Sequence, residues 1–159
     1  MYMISAKEAL ETAKEELKRL DHLVYVSLKF TRAADVFKSI IQKSLLVFDH
    51  SFLSLLLELK NRNKSLQTSI PNLPGPRAEL VSKIFSKNEF VSNNIYFYYL
   101  LRKLEKSEFR CSEEYRRHVT LVTRIENKDI EITIDILTDY YQRVKEFVNW
   151  VEKFINNEL

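Results

Sequence analysis

Pro71-Asn72-Leu73-Pro74-Gly75-Pro76 holds every proline and the only glycine of a chain of 159 residues. Glycine supplies the positive φ angles of tight turns and the bare backbone of phosphate-cradling loops. With Gly75 alone, the chain has no Walker loop, no dinucleotide-binding fingerprint and no glycine-flanked nucleophile turn. Helices therefore run long on both sides of residues 71–76, and the break between them is hard. Asn61, Asn63, Ser65 and Ser69 extend that break upstream, so residues 61–76 read as one Pro/Asn-rich loop.

Outward from this loop, hydrophobic spacing sets the elements. Ser5 and Glu8 have the spacing of a capping box. Ala6, Leu10, Ala13, Leu17 and Leu20 then follow in three- and four-residue steps, an amphipathic helix. Asp21 or His22 marks a bend before a second helix from Leu23 to Phe48, with Leu23, Val26, Phe30, Ala33, Phe37, Ile41 and Leu45 on its core face. A third helical segment, Phe52 to Leu59, takes Asp49 or Ser51 as its cap. Beyond the loop, Pro76 opens a short helix to Ser86, and Asn93 and Asn94 precede a helix from Ile95 to Lys106.

Residues 117–134 change period: Val119, Leu121, Thr123 and Ile125 alternate with polar neighbours, as do Ile130, Ile132 and Ile134. This predicts a β-hairpin joined through Glu126-Asn127-Lys128-Asp129. Asp135 or Thr138 caps a last helix whose stripe is Leu137, Tyr140, Val144, Phe147, Val151 and Phe154. The expected fold is mainly α: one helical domain over residues 1–159, a bundle of about five helices with a β-hairpin before the C-terminal helix.

A hydrophobic fraction of 45% with 30% charged residues predicts a soluble globular chain. Cys111 is the only cysteine, so no disulfide forms within the chain. Residues 1–7 lack a basic stretch followed by an apolar run, so no signal peptide is expected. The uninterrupted apolar runs, Ile95–Leu101 and Leu45–Phe48, are too short to span a membrane. The expected location is the cytoplasm, without membrane contact. Residues 60–88 carry six basic groups against one acid, and residues 126–159 four against eight. This asymmetry suits a basic middle lying over an acidic C-terminal helix, or else nucleic acid or an acidic protein as partner.

Few residues point to chemistry. His22, His50 and His118 have no second histidine or cysteine at metal-ligand spacing, so neither a metal nor a cofactor is expected. Arg116, Arg117 and His118, with Arg110 upstream, combine phosphate-binding forks with a proton shuttle. The plainer reading puts them on the solvent side of a β-arm, paired with Glu113 and Glu114. Lys29, Arg32 and Asp35 read as a solvated helix face. Tyr96-Phe97-Tyr98-Tyr99 beside Arg102 and Lys103 is a stacking platform next to cations, although rings on four successive helical positions point all round and at least half of them are buried. Arg62, Lys64, Arg77, Arg102, Lys103 and Arg116 are the candidate nucleic-acid contacts.

The helix pair Ala6–Leu20 and Leu23–Phe48, followed by further helices in a chain of this size, resembles the HEPN superfamily. The resemblance implies a small archaeal or bacterial helical bundle, often dimeric. Many HEPN members are ribonucleases or toxins of toxin–antitoxin pairs, carrying an arginine followed a few residues later by a histidine on one helix. That pair does not occur here. Arg110 lies farther from His118 than the motif allows, and Arg116 and Arg117 lie nearer.

With rings on many helix faces, the chain is expected to be a self-associating interaction module without catalysis. Its anticipated form is a homodimer joined through Tyr140, Phe147, Trp150 and Phe154 or through the hairpin edge. The alternatives are nucleic-acid binding, or RNA cleavage by His118 with Arg117 or Arg110.

Overall fold

A computed structural model describes residues 4–28, 34–62, 69–112 and 120–159. Among these residues are five α-helices: α1 (Ala6–His22), α2 (Ala34–Arg62), α3 (Pro74–Ile84), α4 (Glu89–Lys106) and α5 (Ile134–Ile155). Three short strands separate the last two helices: β1 (Arg110–Ser112), β2 (Thr120–Ile125) and β3 (Lys128–Thr133). The expected helical bundle with a hairpin before its final helix is the observed fold.

α1 begins as its sequence dictates. The Ser5 hydroxyl accepts from the Glu8 amide at 3.1 Å, and the Glu8 carboxylate accepts from the Ser5 amide at 3.2 Å. Two backbone donors that the helix leaves orphaned are thereby satisfied. The expected bend at Asp21 or His22 is not there. Helical backbone continues through a π-helical turn, Leu23–Ser27, to Leu28. The extra residue in that turn rotates the face, so Val26, expected in the core, is 40% exposed beside Tyr25.

α2 replaces two expected helices with one. Asp49 and Ser51, read as a cap, lie within it. The serine hydroxyls have local acceptors that make a break unnecessary. Ser44 donates to the Ile40 carbonyl and Ser51 to the Val47 carbonyl, both at 2.7 Å. Ser54 reaches across to the Ala6 carbonyl at 2.7 Å and fastens α2 to the start of α1. By length and composition α2 passes for a membrane span, but 72% of its most apolar window is buried by the rest of the molecule. That apolarity serves the core: α2 packs against all four other α-helices.

The loop is shorter than expected at both ends, because α2 runs to Arg62 and α3 starts at Pro74. α4 likewise starts at Glu89, with Asn88 as its cap, the side chain accepting from the Val91 amide at 3.0 Å. Asn94, expected before the helix, is buried inside it and donates to the Phe90 carbonyl.

The sheet order is β1-β2-β3, all antiparallel. The hairpin is tighter than its sequence suggested. Ile125 pairs with Lys128, leaving a two-residue turn in which Glu126 and Asn127 have φ of 52° and 66°. Two left-handed residues in succession match the twist of the flanking strands. β1 was not foreseen; it pairs Arg110–Ser112 with Thr120–Val122. Thr133, not Asp135 or Thr138, caps α5 by accepting from the Ile136 amide at 3.2 Å. α5 ends in a Schellman motif: Glu158 N–H meets the Lys153 carbonyl, Asn157 N–H meets the Phe154 carbonyl, and Asn157 has φ 57°.

The core is built of rings. Phe48 and Phe52 of α2, Tyr98 of α4 and Phe147 of α5 meet with centroids 5.1 to 5.9 Å apart. Offset and edge-on pairs of this kind add attraction beyond the area they bury.

Candidate functional site

α4 has two faces. Phe97 and Tyr98 are 2% and 1% exposed and belong to the core, whereas Tyr96 is 82% exposed and Tyr99 38%. The four-ring run is thus half core and half surface. The helical repeat places Asn93, Tyr96, Leu100, Lys103 and Lys106 along one side. This side, the hairpin tip and Arg143 of α5 enclose an open groove of about 1020 Å³. Phe97, Leu100, Ile125 and Ile130 supply apolar lining, and Arg102, Lys103, Lys106, Lys128 and Arg143 supply cations. Two carboxylates, Glu126 and Asp129, share the wall.

Several contacts hold this arrangement. Thr123, buried in β2, donates to the Glu108 carbonyl at 2.8 Å and ties the sheet to the chain leaving α4. Lys103 pairs with Glu126 across the mouth of the groove, and its hydrogen bond and charge hold the Glu126 carboxyl below the usual range. Arg143 lies over the Phe97 ring, 4.0 Å from its centroid, a cation–π contact that fixes its stem and leaves the charge in the groove. Lys106 and Lys128 have no carboxylate partner among the described ion pairs.

Of the residues singled out in the sequence, Arg102 and Lys103 meet here. Arg110 stands at the rim, its Nη2 4.0 Å from Asp129 Oδ1. Arg62 is elsewhere and structural: it pairs with Glu58 at 3.0 Å, donates to the Phe154 carbonyl and lies 4.4 Å over that ring. Arg77 donates to the Pro71 carbonyl at 2.7 Å and braces the loop. Lys64, Arg116, Arg117 and His118 lie outside the described residues, as do Lys29 and Arg32. The basic middle does reach acidic α5, through Arg62 on Phe154 and Phe85 on Trp150 and Phe154, but no ion pair among the described residues joins the two. The ion pair reaching α5 comes from α1, Lys14 with Glu152.

The four aromatic residues expected at a dimer interface are packed within this chain. Phe147 is 1% exposed. Tyr140 packs on Phe97 at 4.9 Å, Trp150 on Phe85 and Phe90, and Phe154 on Phe85. Phe85, just after α3, and Phe90 and Phe97 of α4 pack on this stripe, leaving Tyr140, Trp150 and Phe154 partly exposed.

Lys106, Lys128 and Arg143 were missed. Lys106 was legible, since it continues the Tyr99–Lys103 spacing along α4. Lys128 and Arg143 were not, because only the docking of the hairpin and α5 on α4 brings them near.

On the far side of α4 a smaller cavity of about 330 Å³ is lined by Asp49, Tyr98, Arg102 and Glu105 among others. The Tyr98 hydroxyl donates to Asp49 Oδ1 at 2.7 Å. Burial raises the Asp49 pKa, outweighing the hydrogen bond from Tyr98 and the charge of Arg102. Burial, and then the Asp49 carboxylate, push the Tyr98 hydroxyl far up, so it donates at all physiological pH. Among the described residues no three His, Cys, Asp or Glu side chains gather as a metal site requires.

No family model, no curated protein and no solved structure matches the chain. The functional reading therefore rests on the groove.

Proposed function

We propose that the groove between α4 and the hairpin binds single-stranded nucleic acid. The observation that carries this reading is the convergence of two exposed tyrosines with five cations in one open groove with an apolar lining. Cations answer the phosphate charge, and tyrosine faces stack on bases of any identity. A duplex hides its base faces, so single strands are preferred over duplexes of the same sequence.

Fluorescence anisotropy with a labelled decanucleotide, as RNA, DNA and duplex, tests this. If three to five cations each neutralise a phosphate, the logarithm of affinity falls with the logarithm of salt at a slope of roughly −2 to −3.5. Tyr96→Ala is expected to weaken binding about 5- to 150-fold, the worth of one stacked base. Absence of binding at low salt overturns the proposal, as does a Tyr96→Ala protein that binds like the wild type. Probe cleavage that is lost in His118→Ala would instead support the RNA-cleaving alternative.

Self-association is a second reading. Among the described strands β3 lies at an edge of the sheet, and such edges pair readily with a second chain. Sedimentation at tens of micromolar, roughly where weak dimers dissociate, decides it: a monomer there removes it.

A further inference from the structure

Glycine is required where φ is positive or where something passes too close for a side chain. Gly75, the second residue of α3, does not have a positive φ. The second reason applies. A Cβ at Gly75 would lie 2.8 Å from Nη1 of Arg102, inside van der Waals contact. The guanidinium fills the space that a side chain would take.

Arg102 also lines both cavities. The net charge around it differs on the two sides of α4. On the Gly75 side it shares the small cavity with the carboxylates Asp49 and Glu105, its charge felt at Asp49, and lies 5.9 Å from the Tyr98 ring centroid. On the groove side it shares the lining with four cations, Lys103, Lys106, Lys128 and Arg143, against two carboxylates, Glu126 and Asp129, so the balance there is positive. Like charges push it out of the groove, and opposite charges draw it onto Gly75. A phosphate in the groove reverses that balance.

We infer that Gly75 is a seat that competes with the groove for the Arg102 guanidinium, so that the Pro71–Pro76 segment sets how readily this cation reaches a bound phosphate. The inference rests on the reading of the groove as a nucleic-acid site and names the element that tunes it. Arg102 is then a contact whose availability Gly75 controls, and Gly75 is a positioning residue that touches no ligand.

Gly75→Ala separates this role from a structural one. The atom that must move is the end of a long, flexible side chain, and alanine is the better helix former, so the melting temperature stays at or above that of the wild type. Removing the seat is expected to tighten binding of the single-stranded decanucleotide about two- to fivefold, the worth of one exposed cation–π or charge contact. Without nucleic acid, the Arg102 guanidinium NMR resonance shifts in this variant. Arg102→Ala weakens binding and makes the salt slope shallower by about 0.7. In the Arg102→Ala background Gly75→Ala brings no gain. The inference is overturned if wild-type protein binds and Gly75→Ala binds equally well, or if the gain survives without Arg102. A wild type that binds no single strand at low salt sinks the groove reading together with this one.

Discussion

Glu16 sets a carboxylate into the contact between α1 and α2. Its side chain is only 12% exposed, with Lys43 Nζ at 2.8 Å and Arg19 beside it. Burial by itself raises the pKa of Glu16, but the hydrogen bonds and charges of Lys43 and Arg19 outweigh it and hold the carboxyl below the ordinary range. The folded chain thus binds fewer protons here than the unfolded one. The stabilisation is complete above the unfolded pKa and is lost as pH falls through the lowered folded value. Lys43→Met is expected to cost about 1–3 kcal/mol at neutral pH and to flatten or reverse the decline in stability below about pH 5. Urea midpoints measured against pH check this; an acid limb identical to that of the wild type would refute it. The pair was not legible in the sequence, because Glu16 and Lys43 belong to different helices. The Ser5–Glu8 box was legible, since both partners lie within one turn.

Among the elements, those with period and cap inside one segment were read well. α1 starts where Ser5 predicts, and β2 and β3 alternate as expected. The errors fell where a residue type has two uses. Asp49 and Ser51 suit a helix cap, yet Ser51 also satisfies itself on the carbonyl four residues back, and α2 runs on. Asn94 suits a loop, yet it is buried in α4 with its amide on Phe90. At the end of α5, asparagine is used as a terminator: Asn157 takes the left-handed conformation that closes the Schellman motif. Asparagine tolerates that region better than residues with a plain Cβ, and glycine tolerates it best. Asn157→Ala is expected to lose about 1 kcal/mol and Asn157→Gly to gain a few tenths. Thermal melts of the pair, ordered Gly above wild type above Ala, are the check.

At the scale of the whole molecule, the helical bundle was legible because glycine and proline are so scarce. The groove was only half legible. Its α4 side could be read from the run of Tyr96 to Lys103, but its opposite wall comes from Lys128 and Arg143, and tertiary docking has no local signature. The aromatic stripe of α5 could be read as that of a packed helix, but nothing in it names Phe85, Phe90 and Phe97 as the rings that meet it. The ring cluster around Phe48 now carries much of the stability. Phe48→Ala is expected to cost about 3–5 kcal/mol, a large share of the roughly 5–15 kcal/mol that holds a domain folded; a cooperative melt within a few degrees of wild type would contradict it. The hub position of α2 has a kinetic consequence. Its central amides can exchange with deuterium only when four neighbours have let go at once, so they report the rarest opening of the molecule. The amides of β1, on the outer edge of a small sheet, need no such concerted release and exchange first.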